Sequence, residues 1–317
     1  MKAAVYTKYG SPEVVQLMDV EQPSPKENEI LIRIRATAVN SGDVRMRKAD
    51  PFAVRFIFGL LKPRKTILGT VYSGVIEQIG KQVTQFKVGD VVFGHTDMNF
   101  GAHAQYIAVP ENSSVALKPL SVAHTQAAVI PFGGVTALHF LKKAGIKPNQ
   151  KVLVVGASGA VGSAAVQLAK ASGAIVTGVC STANMDLVTS IGADKVIDYT
   201  KEDFTQNGEV YDVIMDTVNT ISVSRSLKSL SKNGIMILSA AGMTEMMQGK
   251  WISATSNRQV LMGVIAHSKA DIVFLKQLID AGKYKAVIDK TYSLSQIADA
   301  HAYVEQGHKK GNVAVEV

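Results

Sequence analysis

Residues 152–170, VLVVGASGAVGSAAVQLAK, narrow what this chain can fold into more than any other stretch. A short, almost continuous apolar run is the mark of a strand covered on both faces in a parallel sheet. Gly156, Gly159 and Gly162 follow it three apart, and an Ala-rich helix leads from them to Gly173. Such a turn lets backbone approach a pyrophosphate closely, because no Cβ stands in the way, and the amides at the helix start attract its charge. Ser158, Gly159, Ala160, Val161 and Gly162 are therefore the expected contacts of a dinucleotide. The spacing G-x-x-G-x-x-G is looser than the strict G-x-G-x-x-G fingerprint, and an ordinary strand-to-helix turn tolerates it too. The flanking strand, the helix and the next strand, AIVTGVC (174–180), together favour the cofactor.

The alternation continues beyond that unit. Residues 184–191 read as a helix, and DKVIDY (194–199), YDVIMDTV (211–218) and GIMILSA (234–240) read as strands. Strands separated by helices imply β-α-β crossovers and a parallel sheet. Residues 1–122 have another texture. EILIRIRATAVN (29–40), GVIEQIG (74–80) and DVVFG (90–94) are short apolar runs between turn residues, as in an irregular β-barrel. Two amphipathic helices (270–282 and 295–307) and a strand, NVAVEV (312–317), come last without another glycine-rich turn. The expected fold class is α/β, with a β-barrel substrate domain over 1–122 and a Rossmann, doubly wound parallel-sheet domain over 123–266. The segment 267–317 is expected to return to the first domain.

Bulk properties exclude several classes. A chain of 317 residues, 47% hydrophobic and 19% charged, is long enough for two compact domains and too apolar for disorder. No apolar run reaches the roughly 20 residues a membrane span needs. The one cysteine excludes an intrachain disulfide and a cysteine-rich zinc site. The opening MKAAVYTKYG reads as a strand without an apolar signal core, so cytoplasmic residence is expected. A net charge of +8 raises the question of nucleic acid, yet the basic residues are spread in small groups, the densest at 45–48 and 62–65. No stripe interleaves basic and aromatic residues as single-strand binders do. No nucleic-acid partner is expected, and the basic surface suits a phosphorylated cofactor.

The end of the second strand bears on which nicotinamide binds. An acid about 20 residues past the turn would hold the ribose hydroxyls of NAD. This chain has Cys180-Ser181-Thr182-Ala183-Asn184 instead. A carboxylate would repel a 2′-phosphate, whereas hydroxyls and an amide can donate to one, so NADPH is expected. No Arg or Lys stands in that stretch to neutralise the phosphate. Ser181 and Asn184 also read as caps of the following helix. Cys180 reads as a small buried strand-end residue rather than a reactive thiol.

Several motifs in order identify the chain as similar to the medium-chain dehydrogenase/reductase superfamily, in its zinc-independent quinone oxidoreductase branch. They are MKAAVYTKYGSPEVVQL, ATAVNSGDVRMR (36–47), ILGTVYSGVIEQIGKQVTQFKVGDVVFG (67–94), GVTALHFL (134–141), GASGAVGSAAVQLAK, IGADKVIDY and GHKKGNVAVEV. The resemblance spans essentially the whole chain. It implies a GroES-like substrate domain before and after a Rossmann domain, and a homodimer or larger assembly.

Zinc alcohol dehydrogenases of that superfamily place a cysteine where Asn40 stands here, a His-Glu pair at Thr70-Val71 and a third cysteine near 131–133. None of these residues makes a tetrahedral nitrogen and sulfur site, so no metal is expected. His95, Asp97 and His103 read as loop residues. Reducing an isolated ketone needs a strong electrophile on its oxygen. Without one, an α,β-unsaturated carbonyl or a quinone is the better acceptor, because it takes hydride at carbon and spreads the charge into an enolate or hydroquinone anion. The expected enzyme is a zinc-independent, NADPH-dependent quinone or enone reductase.

The resemblance also implies site residues. Asn40 could donate to the substrate oxygen or approach the nicotinamide, or simply close the turn after Val39. Asp43, in the same turn, reads more readily as a cap. Tyr72 is a candidate proton donor, with a core aromatic as the alternative. Thr136 resembles the family threonine beside the nicotinamide, and Tyr199 a tyrosine near the adenosine phosphate. Val218, Ser239, Ala240 and Gly242 end the fourth and fifth strands, where an open sheet binds its ligand. Asn312 resembles a C-terminal cofactor contact. Thr136 could instead be a helix-interior hydroxyl and Tyr199 an ordinary strand-end aromatic, and the other five could be plain strand-to-loop turns. Related zinc-free chains often have Asp where Val71 stands, so water is the expected proton source. The stretch DPFAVRFIFGLLKPRK (50–65) reads as a flap whose Phe52, Phe56 and Phe58 suit an apolar acceptor, with interfacial binding the alternative. Two rival readings stay open, a zinc-free alcohol dehydrogenase and a cofactor-binding protein with a nucleic-acid or structural role.

Overall fold

The computed structural model describes residues 1–239, 242–263, 265 and 268–317. It divides into two compact units. Unit 1 is Met1–Phe132, His267–Ala281 and Ala286–Val317, and unit 2 is Gly133–Ala266 with Gly282–Lys285.

Unit 1 opens with an antiparallel pair, β1 (Lys2–Tyr6) and β2 (Val15–Asp19). The spine of its larger sheet is β3 (Glu29–Val39), followed by α1 (Ser41–Lys48), α2 (Val54–Phe58), β4 (Val71–Ile79), β5 (Val91–His95), β6 (Tyr106–Pro110) and β7 (Ser114–Leu117). Ile30, Ile32 and Ile34 alternate with exposed Arg33 and Arg35 on β3, the period-2 pattern of a strand with one face in a core. Their partners are Ile76, Phe86 and Val92. Two register shifts break the antiparallel β3–β4 ladder, as expected where a sheet bends sharply.

The chain passes into unit 2 along α3 (His124–Ala144), a 21-residue helix that carries Pro131. Then come β8 (Lys151–Val155), α4 (Ala160–Ala171), β9 (Ile175–Cys180), α5 (Met185–Ser190), β10 (Lys195–Asp198), β11 (Tyr211–Asp216), α6 (Val223–Ser226), β12 (Leu230–Leu238), α7 (Met243–Thr255) and β13 (Gln259–Leu261). The sheet runs β10-β9-β8-β11-β12-β13, parallel throughout. Numbered within the unit this is 3-2-1-4-5-6, the doubly wound order, and its direction reverses between β8 and β11. Ligands of such sheets bind at the carboxyl ends of the strands flanking that reversal.

The last elements belong to unit 1: α8 (Lys269–Asp280), β14 (Ile288–Ser293), α9 (Ile297–Glu305) and β15 (Asn312–Glu316). β15 pairs antiparallel with the C-terminal half of β3, while β6 pairs with its N-terminal half. No helix among the described residues is long and apolar enough to cross a membrane.

Candidate active site

In unit 2 the three glycines of the first turn do different jobs. Gly156, at φ +75, passes so close to β11 that a Cβ there would meet the Val218 and Thr217 side chains at 2.6 and 2.7 Å. A Cβ on Gly162 would lie 2.0 Å from the Gly156 carbonyl oxygen. Both serve strand–helix packing. Gly159 is different, because a Cβ there would find only the Gly156 carbonyl at 3.4 Å and otherwise open space. Gly159 is the N-cap of α4 and offers no side-chain cap. Ser163 N returns to Gly159 O at 2.8 Å, so the amides of Ala160, Val161 and Gly162 are left without an acceptor among the described residues. An N-terminus with bare amides and clear space in front of its glycine fits a pyrophosphate. α3 presses on this start, since a Cβ on Gly133 would meet the Ala160 carbonyl at 2.3 Å. Thr136 lies one turn further along that helix, on the same side.

At the end of β9, Asn184 gathers two of the expected cofactor residues. Its Nδ2 donates to Ser158 Oγ and Ser181 Oγ, both at 3.2 Å, tying the glycine turn to the end of β9. Neither Ser181 nor Asn184 makes a side-chain cap bond, so the helix-capping alternative for them does not hold. Since an amide nitrogen only donates, both serine hydroxyls accept from it and keep their own hydrogens for another acceptor. That suits a phosphate. Cys180 is buried, and burial first, then Asp198, pushes its thiol up to about 11, so it is no thiolate nucleophile.

Sequence reasoning missed Asp198 and Lys201. Asp198 ends β10 and accepts from the Thr182 hydroxyl, the Thr200 hydroxyl at 2.7 Å and the Thr200 amide at 3.0 Å. These donors hold its carboxyl down at about 2. Lys201 Nζ stands 3.6 Å from the same carboxylate. A cation therefore lies one strand over from the stretch that lacks one. The signal was the Tyr-Thr-Lys run closing DKVIDY, which means little until β10 is paired beside β9. Tyr199 is exposed, and its amide donates to Cys180 O at 3.1 Å.

At the ends of β11 and β12, buried Asp216 accepts the Val218 and Asn219 amides, each at 2.9 Å, and burial raises its carboxyl. Ser239 Oγ donates to Asp216 O at 3.0 Å, so Val218 and Ser239 share one corner beside the sheet reversal. Ala240 lies outside the described residues. Gly242 does not end the fifth strand, because β12 stops at Leu238. It is the N-cap of α7, its amide held by Glu245 Oε2 at 3.0 Å.

In unit 1, Asn40 and Asp43 form a capping box at the start of α1. Asn40 Oδ1 accepts Asp43 N at 3.1 Å, and Asp43 Oδ2 accepts Asn40 N at 2.9 Å. The other carboxylate oxygen, Oδ1, accepts Gly69 N at 3.1 Å. Asn40 Nδ2 reaches Thr70 Oγ1 at 3.1 Å. One buried carboxylate therefore clamps the two turns that carry Asn40 and Thr70. Burial raises Asp43, against the pull of His103 and the two amides. His103 Nε2 donates to Ala38 O at 3.0 Å. Its backbone and ring crowd Gly69, where a Cβ would collide at 2.4 Å.

One expectation for unit 1 needs correcting, and the partners of two other residues are fixed. Tyr72 is fully buried among Ile30, Ile32, Ile76 and Val92, and burial pushes its hydroxyl far up, so it is a core aromatic and not a proton donor. Phe58 is half-buried and stacks edge-on against Phe100 at 5.8 Å, leaving Phe52 and Phe56 as the outward aromatics of the 50–65 stretch. Asn312, at the start of β15, has both its amides turned onto Val287 O, at 2.9 and 3.0 Å. His95 accepts the Asp97 amide at 2.8 Å, apart from the His103 contact. Among the described residues no group of three His, Cys, Asp or Glu side chains is placed to hold a metal ion.

Residues 26–119 match the family model described as alcohol dehydrogenase GroES-like domain, and residues 191–315 the one described as zinc-binding dehydrogenase. The chain is 34% identical to the 2-methylene-furan-3-one reductase of Solanum lycopersicum, across 99% of this chain and 79% of that protein. It is 32% identical, with the same coverage, to the chloroplastic NADPH-dependent alkenal/one oxidoreductase of Arabidopsis thaliana. The solved structure of Escherichia coli quinone oxidoreductase complexed with NADPH is similar at a TM-score of 0.84 and 26% identity, covering 100% of both chains.

Proposed function

The chain belongs to the medium-chain dehydrogenase/reductase superfamily, in its quinone oxidoreductase-like branch, and from that premise we propose that it reduces quinones or α,β-unsaturated carbonyls with NADPH and without zinc. The observation that carries this reading is the hydroxyl pair Ser158 and Ser181, held by Asn184 beside the open Gly159 turn. Neutral donors with free hydrogens, and Lys201 one strand away, suit the 2′-phosphate that separates NADPH from NADH. Unit 2 is the cofactor domain in this reading.

Bound on the turn, NADPH supplies a hydride. The α4 amides would hold its diphosphate, and Asp216 fixes the Val218 corner. An amide and a hydroxyl stand where the zinc alcohol dehydrogenases place metal ligands. Their modest donors match an acceptor that delocalises its own charge. The names of the tomato and Arabidopsis relatives, a furanone reductase and an alkenal/one oxidoreductase, support that substrate class. The exposed Phe52 and Phe56 suit an apolar acceptor.

We also infer a homodimer, with cytoplasmic residence. β13 is a three-residue edge strand of the unit 2 sheet, and Met247 and Trp251 on neighbouring α7 are exposed at 71% and 68%. An unpaired edge beside exposed apolar side chains is a natural place for a two-fold copy.

The test is a panel of quinones, enals, enones and simple alcohols, assayed by the absorbance of reduced cofactor with NADPH and NADH in turn, with and without a chelator. Faster turnover with NADPH on enones or quinones, unaffected by chelation, supports the reading. Equal use of NADH, oxidation of alcohols only, or inactivation by the chelator overturns it.

A further inference from the structure

We propose that the Thr70 hydroxyl is the hydrogen-bond donor to the acceptor's carbonyl oxygen, and that Asn40 and Asp43 are the positioning residues that turn it outward. This assignment rests on the enone or quinone reductase reading above.

The orientation of the Asn40 amide is fixed by its partners. Its oxygen accepts the Asp43 amide, so its nitrogen must be the atom that faces Thr70. That nitrogen has no lone pair to offer and only donates. Thr70 Oγ1 is therefore the acceptor of this bond, and its single hydrogen points elsewhere. No acceptor for it exists among the described residues. Thr70 retains 7% of its surface, so the residue is nearly buried without being sealed. A hydroxyl that already accepts a bond is polarised to donate a stronger one.

The frame around it is rigid. Asp43 binds the Gly69 amide with one oxygen and the Asn40 amide with the other, which fixes the separation of the two turns. Thr70 O accepts the Thr96 amide at 2.7 Å, and His103 wedges behind Gly69. A donor held this way needs no reorganisation when charge develops.

Hydride adds to the β-carbon of the enone and forms a C–H bond, the alkene pair moves to the Cα–C position, and the carbonyl pair moves onto oxygen. The Thr70 O–H hydrogen-bonds that enolate oxygen and is not transferred. Water then protonates Cα and the carbonyl re-forms. For a quinone the hydride adds at a ring carbon, water protonates the enolate oxygen, and the ring C–H proton then leaves to water as the second carbonyl oxygen takes one up, giving the hydroquinone.

The test compares wild type, T70V and T70S in the acceptor panel, with NADPH binding measured separately by calorimetry. Valine keeps the shape and removes the hydroxyl. The expected result is a fall of about 10- to 100-fold in kcat on enones for T70V, with the NADPH Kd unchanged, and recovery of most of that loss in T70S. The loss should shrink on strongly electron-poor quinones, which need the donor least, a trend that a merely loosened fold would not produce. T70V as fast as wild type, or an equal loss on every acceptor with weakened NADPH binding, overturns the assignment. A wild type inert towards every acceptor overturns the underlying reading as well, so the two failures are distinct.

Discussion

Two alanine substitutions three residues apart should fail in opposite ways. At Gly159 the backbone is extended, φ −80 and ψ 178, which alanine adopts freely, and the new methyl would touch nothing nearer than 3.4 Å. Replacing glycine by alanine at an N-cap costs about 0.5–1 kcal/mol. Lowering the entropy of the unfolded chain returns about 0.4–1 kcal/mol. The two nearly cancel, so Tm should stay within about 2 °C of wild type for a domain of roughly 150 residues. The methyl does, however, fill the space in front of the bare α4 amides. Displacing the diphosphate there loses about one charge-assisted hydrogen bond, about 1.5–3 kcal/mol. NADPH should then bind about 10- to 150-fold more weakly. Gly162→Ala inverts the pattern. Its methyl would lie 2.0 Å from a backbone oxygen and 2.7 Å from its carbon, neither of which can swing aside. Overpacking of that kind costs about 3 kcal/mol, a fall of about 6–12 °C in Tm. Thermal melts with and without NADPH, paired with titration calorimetry, separate the two. G159A binding NADPH as tightly as wild type, or G162A melting like wild type, would refute the division of labour among the glycines.

Other consequences can be checked as directly. Asn184→Ala frees Ser158 and Ser181 to rotate, and the preference for NADPH over NADH in kcat/KM should fall about tenfold while NADH turnover is unchanged. His301 is buried, both ring nitrogens lack partners among the described residues, and burial, then His103 and Arg47, holds it well below its ordinary value. Neutral in the fold and protonated when unfolded, it lowers stability as pH falls below about 6.5, by about 1.4 kcal/mol per pH unit. His301→Leu should flatten that slope in denaturant midpoints between pH 5 and 7. Asp198 acts in the same direction at lower pH, since its depressed carboxyl contributes above about pH 4 and that contribution fades towards about 2. D198N should remove this acid-side step from the same curve.

Much of unit 2 was legible because its strands are buried on both faces and read as unbroken apolar runs. The expected limits of β9 and β10 match to within one residue. β12 starts four residues earlier than GIMILSA suggests. Leu230 pairs with Tyr211 ahead of a register shift, and the polar Ser231–Asn233 segment that hid the strand lies within it. Helix α3 was not legible, because Pro131, Gly133 and Gly134 are poor helix residues and only burial keeps the helix continuous through them. Helix α1 was missed although Asn40 and Asp43 have capping-box spacing, since Gly42 and three basic residues leave no apolar stripe to announce it. Site residues within one turn could be read together. Asn184 with Ser158, and Asn40 with Thr70, lie 26 and 30 residues apart and meet only once strands have paired.

Those two meetings share one logic. In each unit an asparagine amide donates to a hydroxyl, and because the amide nitrogen cannot accept, the hydroxyl hydrogen is left facing away from the protein's own acceptors. A lysine or a metal would bring more charge, but also a desolvation cost that grows as the site closes. A neutral donor held by a neutral donor avoids that cost and still meets negative charge wherever it sits on the ligand. On the cofactor side that charge is permanent, on a phosphate. On the acceptor side it exists only while hydride is being received, so a weak, fixed donor helps most where the acceptor already shares the burden. If that is the working principle, giving Thr70 a stronger but mobile partner should not speed the enzyme. Asn40→Lys would replace a fixed amide by a flexible ammonium, and kcat on enones should fall by about tenfold or more. A faster Asn40→Lys enzyme would mean that charge, not fixed geometry, limits the reaction.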